Sequence, residues 1–222
     1  MTFSITARCP ATGMLGIAIS SSSPAVAARC AHLRAGVGAV ASQNITDPRL
    51  GKRGLDLMAA GASAEAALAD LKASPFIDFR QLALVDSAGR TAALSGAGAL
   101  GIHAIVQGAG VVCAGNLLAG PDVPRAMVAA FEGTRTDFPG RLLGALEAGL
   151  AAGGEAGPVH SAGLVVVRNV EWPVVDLRVD WSDTPIADLR RVWELYAPQL
   201  EDYVWRALDP TRAAKFGVAG ER

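Results

Sequence analysis

The chain opens on a strict alternation. In "TFSITAR", Phe3, Ile5 and Ala7 are apolar and Ser4, Thr6 and Arg8 polar, the period of two that predicts a strand with one face buried and one in water. "PATG" follows as a turn, Pro10 restricting the backbone and Gly13 freeing it. "MLGIAIS" is a second strand, so the two form a hairpin, and the run Ser20 to Ser23 reads as its polar end. "AGVGAVASQ" is a third β segment, with glycines that suit the close approach of another backbone or a ligand.

The period then lengthens. "DPRLGKRGLDLMAAG" carries Leu50, Leu55, Leu57 and Met58 on one side, with Asp47 as a cap and Pro48 in the first turn. "SAEAALADLKAS" is a second helix, capped by Ser63 and stopped by Pro75. Two strand pairs come next: "RQLALVD" with "RTAALSG", and "HAIVQ" with "GVVCAGN". Helices return in "PDVPRAMVAAFEG" and "FPGRLLGALEAGLAAGG", whose final Gly-Gly is a C-terminal stop. "HSAGLVVVRN" and "PVVDLRVDW" are the last strands. "TPIADLRRVWELYAPQLEDYVWRAL" is a helix kinked near Pro198, with Ile186, Leu189, Val192, Leu195 and Tyr196 at helical spacing. Strands in groups and helices in pairs predict a sheet-based α+β fold in place of strict βαβ alternation.

Composition narrows the function classes. The 222 residues, 51% hydrophobic and 18% charged, fit one domain spanning 1–222, with 184–208 as a C-terminal helical extension. A net charge of -1 without blocks of one sign argues against nucleic acid and membrane surfaces as partners. No apolar run reaches the roughly 18 residues of a membrane span, and the N-terminus lacks signal-peptide character, so the expected location is cytoplasmic. Cys9, Cys30 and Cys113 show no paired spacing and read as reduced packing residues. Trp193, Tyr196, Tyr203 and Trp205 give the last helix more aromatic surface than a cap requires, which predicts a homo-oligomer.

Few residues carry chemistry by themselves. Gly96, Gly98 and Gly101 spell G-x-G-x-x-G, but a strand follows where the dinucleotide motif needs a helix. His32, His103 and His160 have no metal-ligand spacing, and no G-x-S-x-G elbow anchors a triad. Asp47, Asp86 and Asp122 sit beside turns or helix starts, where capping accounts for them. Thr2 differs. Once Met1 is removed, its α-amine, with a reference pKa of about 7.7–8.0, is a base attached to the same residue as the hydroxyl it would activate. A strand that simply begins at residue 2 explains the same threonine without chemistry.

The segments "MTFSITARCPATGMLGIAI", "RAGVGAVASQN", "RGLDLM", "FRQLALVDSAGRTAA", "AGNLLAG" and "ALEAGLAAGGEAG", in this order, resemble the DUF1028 family of the N-terminal-nucleophile (Ntn) hydrolase superfamily from residue 2 to about residue 180. The resemblance implies a four-layer αββα sandwich, two stacked antiparallel sheets flanked by helices. It implies Thr2 as nucleophile and no cofactor or metal. Asn116 in "AGNLLAG" is the first choice for an oxyanion donor, although a turn asparagine fits equally. Ser20, Ser21, Gln43, Asn44, Asp47 and His103 are the candidates for lining the site. Serines stand where many Ntn enzymes place an acidic or polar helper, so no acidic helper is evident, and the third segment offers no lysine.

The expected activity is hydrolysis of a small amide or related C–N bond. Two rivals stand beside it: a non-catalytic ligand-binding or assembly protein on the same scaffold, and a hydrolase using Cys9 or a hydroxyl of Ser20 to Ser23 near His103.

Overall fold

A computed structural model describes residues 1–215 and 217. The first hairpin is β1 (Thr2–Arg8) and β2 (Leu15–Ser21), followed by a short helix α1 (Ala27–Cys30), β3 (Ala31–Arg34) and β4 (Gly38–Asn44). Helices α2 (Pro48–Ala59) and α3 (Ala64–Leu71) precede β5 (Arg80–Asp86), β6 (Thr91–Ser95), β7 (Ala104–Gly108) and β8 (Val111–Asn116). Then come α4 (Val123–Gly133), α5 (Phe138–Ala151), β9 (Ser161–Val167), β10 (Val175–Val179), α6 (Pro185–Tyr196) and α7 (Leu200–Leu208).

The strands form two antiparallel sheets, one ordered β10-β9-β2-β1-β8-β7 and the other β3-β4-β5-β6. Alternation along each strand then builds four layers. From β1, Phe3, Ile5 and Ala7 point outward into a core with Met127 of α4 and Leu142 and Leu146 of α5. Between the sheets, Leu15, Ile17 and Ile19 of β2 and Val112 and Ala114 of β8 meet Ala39, Ala41, Ala83 and Val85 of β4 and β5. Beyond the second sheet, Val40, Leu82 and Leu84 pack under α2 and α3. The architecture is the αββα sandwich. Burying about 25 cal/mol for each Å² of apolar surface in three such contacts is what offsets the ordering of the chain.

Local chemistry starts α2 and α3 as expected, whereas Asp137 is a cap the sequence reading did not name and Asp122, expected to cap α4, makes no side-chain cap hydrogen bond. Asp47 accepts the Arg49 N–H at the start of α2, Ser63 that of Ala66 in α3, and Asp137 that of Gly140 in α5. Gly16 lets α5 lie on β2, because a Cβ there would stand 2.4 Å from Leu142 Cδ1. Helix α6 buries Ile186, Leu189 and Trp193 in the same core as α5, and the chain turns through a 3₁₀ segment at Ala197–Gln199 into α7. Tyr196 stacks on Tyr203 at 5.3 Å, so part of the aromatic surface is used within the chain. Among the described residues no helix is long and apolar enough to cross a membrane.

One expectation needs correcting. The polar positions of β1 do not face water: Ser4 and Thr6 are fully buried, because β1 is covered by α4 and α5 on one side and by the second sheet on the other. The segments α1 and β3 lie in a stretch that gave no clear period.

Candidate functional site

Register sets the row of residues at one end of the sandwich. In the six-stranded sheet Thr2 pairs with Asn116, Phe3 with Ser20, and Ser21 with Ser161. Thr2 shares a face with Ser4, whose hydroxyl donates to Gln43 Oε1 across the inter-sheet space at 2.7 Å, so Thr2 also points between the sheets. Thr2, Ser21, Ser161 and Asn116 thus end four neighbouring strands on one face. Gln43 and Gln81, paired on β4 and β5, oppose them. Apolar side chains fill the middle of this layer; its end is polar.

Thr2 is 5% exposed. Its hydroxyl donates to the carbonyl oxygen of Met1 and lies 3.4 Å from Ser21 Oγ. Ser21 Oγ donates to the same Met1 oxygen at 2.5 Å and accepts the N–H of Ser23 at 3.0 Å. Two hydroxyls therefore converge on one acyl oxygen. Beneath them runs a buried amide network. Gln81 Oε1 accepts from Gln43 Nε2 at 2.7 Å and from Asn116 Nδ2 at 3.1 Å, and Gln81 Nε2 donates to Ser95 Oγ and to the Gly115 carbonyl. Asn116 Oδ1 is buried and has no hydrogen-bond partner among the described residues, a costly arrangement in a low dielectric and one that marks the spot.

A carboxylate that sequence reading missed completes the group. After α5, Gly153 and Gly154 take positive φ of 114° and 60°, a left-handed turn that glycine allows without strain. The chain is then held to the loop after β8 by Ala119 N–H to Gly154 O and Ala156 N–H to Leu117 O. Glu155 is delivered into the site at 4% exposure, and both its oxygens accept the Ser22 N–H at 3.2 Å. Burial pushes its carboxyl up to about 7, against the opposing pull of the N-terminal ammonium and the Ser22 hydrogen bonds. An acidic group is present after all, from a loop 133 residues away from Ser22. The sequence signal, one glutamate after a Gly-Gly, reads equally as a helix stop.

The structure brings together Thr2, Ser21, Asn116 and Gln43. Ser20 faces the helical layer and donates to Ser161 O at 3.0 Å. Asn44, in the left-handed region at φ 72°, bridges Phe79 O and the Leu100 N–H at the rim. Asp47 is outside the group: it caps α2, and the hydrogen-bonded Arg49 holds its carboxyl below the usual carboxylate range. His103 is exposed in the loop before β7, its Nδ1 3.0 Å from Gly101 O. Cys9 lies past the far end of β1, about 20 Å of strand from Thr2. His160 borders the site by its backbone, donating N–H to Ser21 O, while its ring stacks on Trp181 at 4.4 Å. Among the described residues no group of three or more His, Cys, Asp or Glu is placed to hold a metal ion.

No curated protein matches the chain. The crystal structure of protein SPO2555 from Silicibacter pomeroyi, a DUF1028 protein, is 31% identical over 88% of this chain and 89% of its own, with a TM-score of 0.83. Anbu from Hyphomicrobium sp. strain MC1 is 10% identical over 97% of this chain and 100% of its own at a TM-score of 0.44. Anbu (ancestral beta-subunit) from Yersinia bercovieri is 10% identical over 90% and 97% at 0.37. Residues 2–189 match the family described as "Family of unknown function (DUF1028)", and the chain belongs to that family.

Proposed function

We propose that the protein hydrolyses a small amide or related C–N bond in the manner of an Ntn hydrolase, with Thr2 as nucleophile once Met1 has been removed. The observation that supports this is the arrangement at Met1: a threonine hydroxyl at the sandwich mouth lies against an acyl carbonyl whose oxygen also receives the Ser21 hydroxyl. The fold thus sets a hydroxyl donor, Ser21 Oγ, beside the Thr2 hydroxyl.

In this reading the free Thr2 amine takes the proton of Oγ1 as Oγ1 attacks the substrate carbonyl. The C–O bond forms and the carbonyl oxygen becomes an oxyanion. Ser21 Oγ, a donor to an acyl oxygen in the structure, stabilises that charge. The ammonium of Thr2 returns the proton to the leaving nitrogen as the C–N bond breaks, leaving an ester on Thr2. Water, deprotonated by the same amine, then attacks the ester and restores the hydroxyl. Asn116 keeps its Nδ2 on Gln81 and supports the wall of the site, with one N–H remaining for substrate. The same reading takes a small-molecule substrate and no cofactor, and pairs chains through the α6–α7 face, where Leu195 and Leu208 are exposed.

Intact mass and turnover of protein prepared with Thr2 at its N-terminus test the reading. Thr2→Ala is expected to lower turnover at least 1,000-fold and to abolish labelling by an electrophilic acyl probe at residue 2. Full turnover by Thr2→Ala would falsify it.

A further inference from the structure

The apolar layer beyond the six-stranded sheet is not filled everywhere. At the end of the sandwich away from Thr2, a cavity of about 410 Å³ lies between the first hairpin turn, α5, β9, β10 and the bend from α6 to α7. Phe138 of α5, Val166 of β9, Val175 of β10, Trp193 of α6 and Leu200 of α7 supply its apolar wall. The first four of these are more than nine-tenths buried, so the wall is core. Its edges are fastened: the Tyr196 hydroxyl donates to Val174 O at 2.9 Å, and Arg168 holds both oxygens of Glu201 at 2.6 and 2.8 Å.

Protein interiors are close-packed, with few voids larger than a water molecule, and an unfilled apolar cavity costs stability in proportion to its volume. Sites for small molecules, in contrast, are mostly apolar spaces of about 300–1,000 Å³ with a few polar groups. This cavity fits the second description. An apolar cavity of about 150 Å³ stays dry and takes up benzene, so by that scale this one holds roughly two to three aromatic rings. Thr12 and Met14 line both the cavity and the open cleft of about 920 Å³ beside it, which makes the hairpin turn its doorway.

Charge sets the ligand class. Apart from Cys9, the ionisable side chains on the wall are Asp137 and Glu201, and among the described residues no Lys, Arg or His lines the cavity. Both carboxylates are already engaged, Asp137 by the Gly140 N–H and Glu201 by Arg168. Neither waits for a cation, and both repel an anion. We infer that the cavity binds an uncharged apolar molecule the size of roughly two to three aromatic rings, at a site separate from Thr2. This stands independently of the hydrolase reading.

The test titrates the full chain with N-phenyl-1-naphthylamine, which is uncharged and brightens in apolar surroundings, and with 8-anilinonaphthalene-1-sulfonate, the same ring system carrying a sulfonate. The naphthylamine is expected to saturate one site per chain with a Kd below about 100 µM, at least tenfold tighter than the sulfonate. Ala197→Phe and Leu200→Trp each put a larger side chain into the cavity and should weaken the naphthylamine at least tenfold, with thermal melts confirming that the variants fold. In the unaltered chain the naphthylamine should slow alkylation of Cys9 by N-ethylmaleimide at least twofold. Burial raises the Cys9 thiol, but hydrogen bonds from Thr12 and Ala11 hold it below its ordinary value, whereas burial pushes Cys30 and Cys113 up; peptide mapping therefore reads Cys9 apart from the others. No saturable binding, equal binding of the sulfonate, unchanged affinity in a folded filling variant, or unaltered alkylation of Cys9 overturns the inference. Loss of binding as protein concentration rises assigns the cavity to a second copy of the chain and overturns it as well.

Discussion

Thr2 and Ser21, on adjacent strands, hold their hydroxyl oxygens 3.4 Å apart and both donate to the oxygen of Met1. The pairing follows from hairpin register. If Ser21 stabilises an oxyanion, Ser21→Ala lowers kcat by about 10²–10³, the loss measured for a single oxyanion donor. Ser20→Ala, which removes a hydrogen bond to Ser161 O on the other face, leaves kcat within a few-fold and appears instead in the melting temperature.

Gln81 joins both sheets through four hydrogen bonds to Gln43, Asn116, Ser95 and Gly115. Replacing it by Leu strands buried donors and acceptors at about 1–3 kcal/mol each. A loss of about 3 kcal/mol lowers the melting temperature by about 6–12 °C for a chain of this size, readable by calorimetry.

Asp86 accepts N–H groups of Ala64, Ala88 and Arg90 and the Arg90 guanidinium. Burial alone would raise its pKa, but those donors outweigh it and hold the carboxyl below its ordinary value. Its stabilisation is therefore complete above the unfolded value of about 3.9 and is lost as pH falls through the lower folded value. Asp86→Asn should cost about 2–3 kcal/mol at pH 7, and denaturant melts below pH 4 should show a shallower acid dependence than the parent.

Glu155 has the opposite sign. Its folded pKa, raised to about 7 chiefly by burial, exceeds the unfolded value of about 4.3. The folded state binds the extra proton between these values, so stability falls as pH rises from about 4.5 to about 7 and then levels. Melts across this window should show the decline, and Glu155→Gln should flatten it.

Much of the frame was legible because period-two alternation and turn residues were strong along β1, β2 and β5, and Asp47 and Ser63 capped where they were read to cap. Thr2 stood out for its chemistry, a base and a hydroxyl on one residue. What alternation cannot say is what covers a polar face: Ser4 and Thr6 read as solvated and lie against another sheet. Segments of four residues, as in α1 and β3, are too short to show a period. Glu155 depends on a left-handed Gly-Gly turn and on a partner at Ser22, and neither leaves a mark in local sequence.

The shared acceptor at Met1 has a thermodynamic consequence. While Met1 is present, one carbonyl satisfies two hydroxyls and its amine offsets part of the charge of a buried carboxylate. Cleaving that single residue withdraws the acceptor and moves the terminal amine to Thr2. The trimmed protein therefore carries unmet polar demand concentrated at one mouth, and a ligand that meets it raises the melting temperature of the trimmed chain more than that of the untrimmed one.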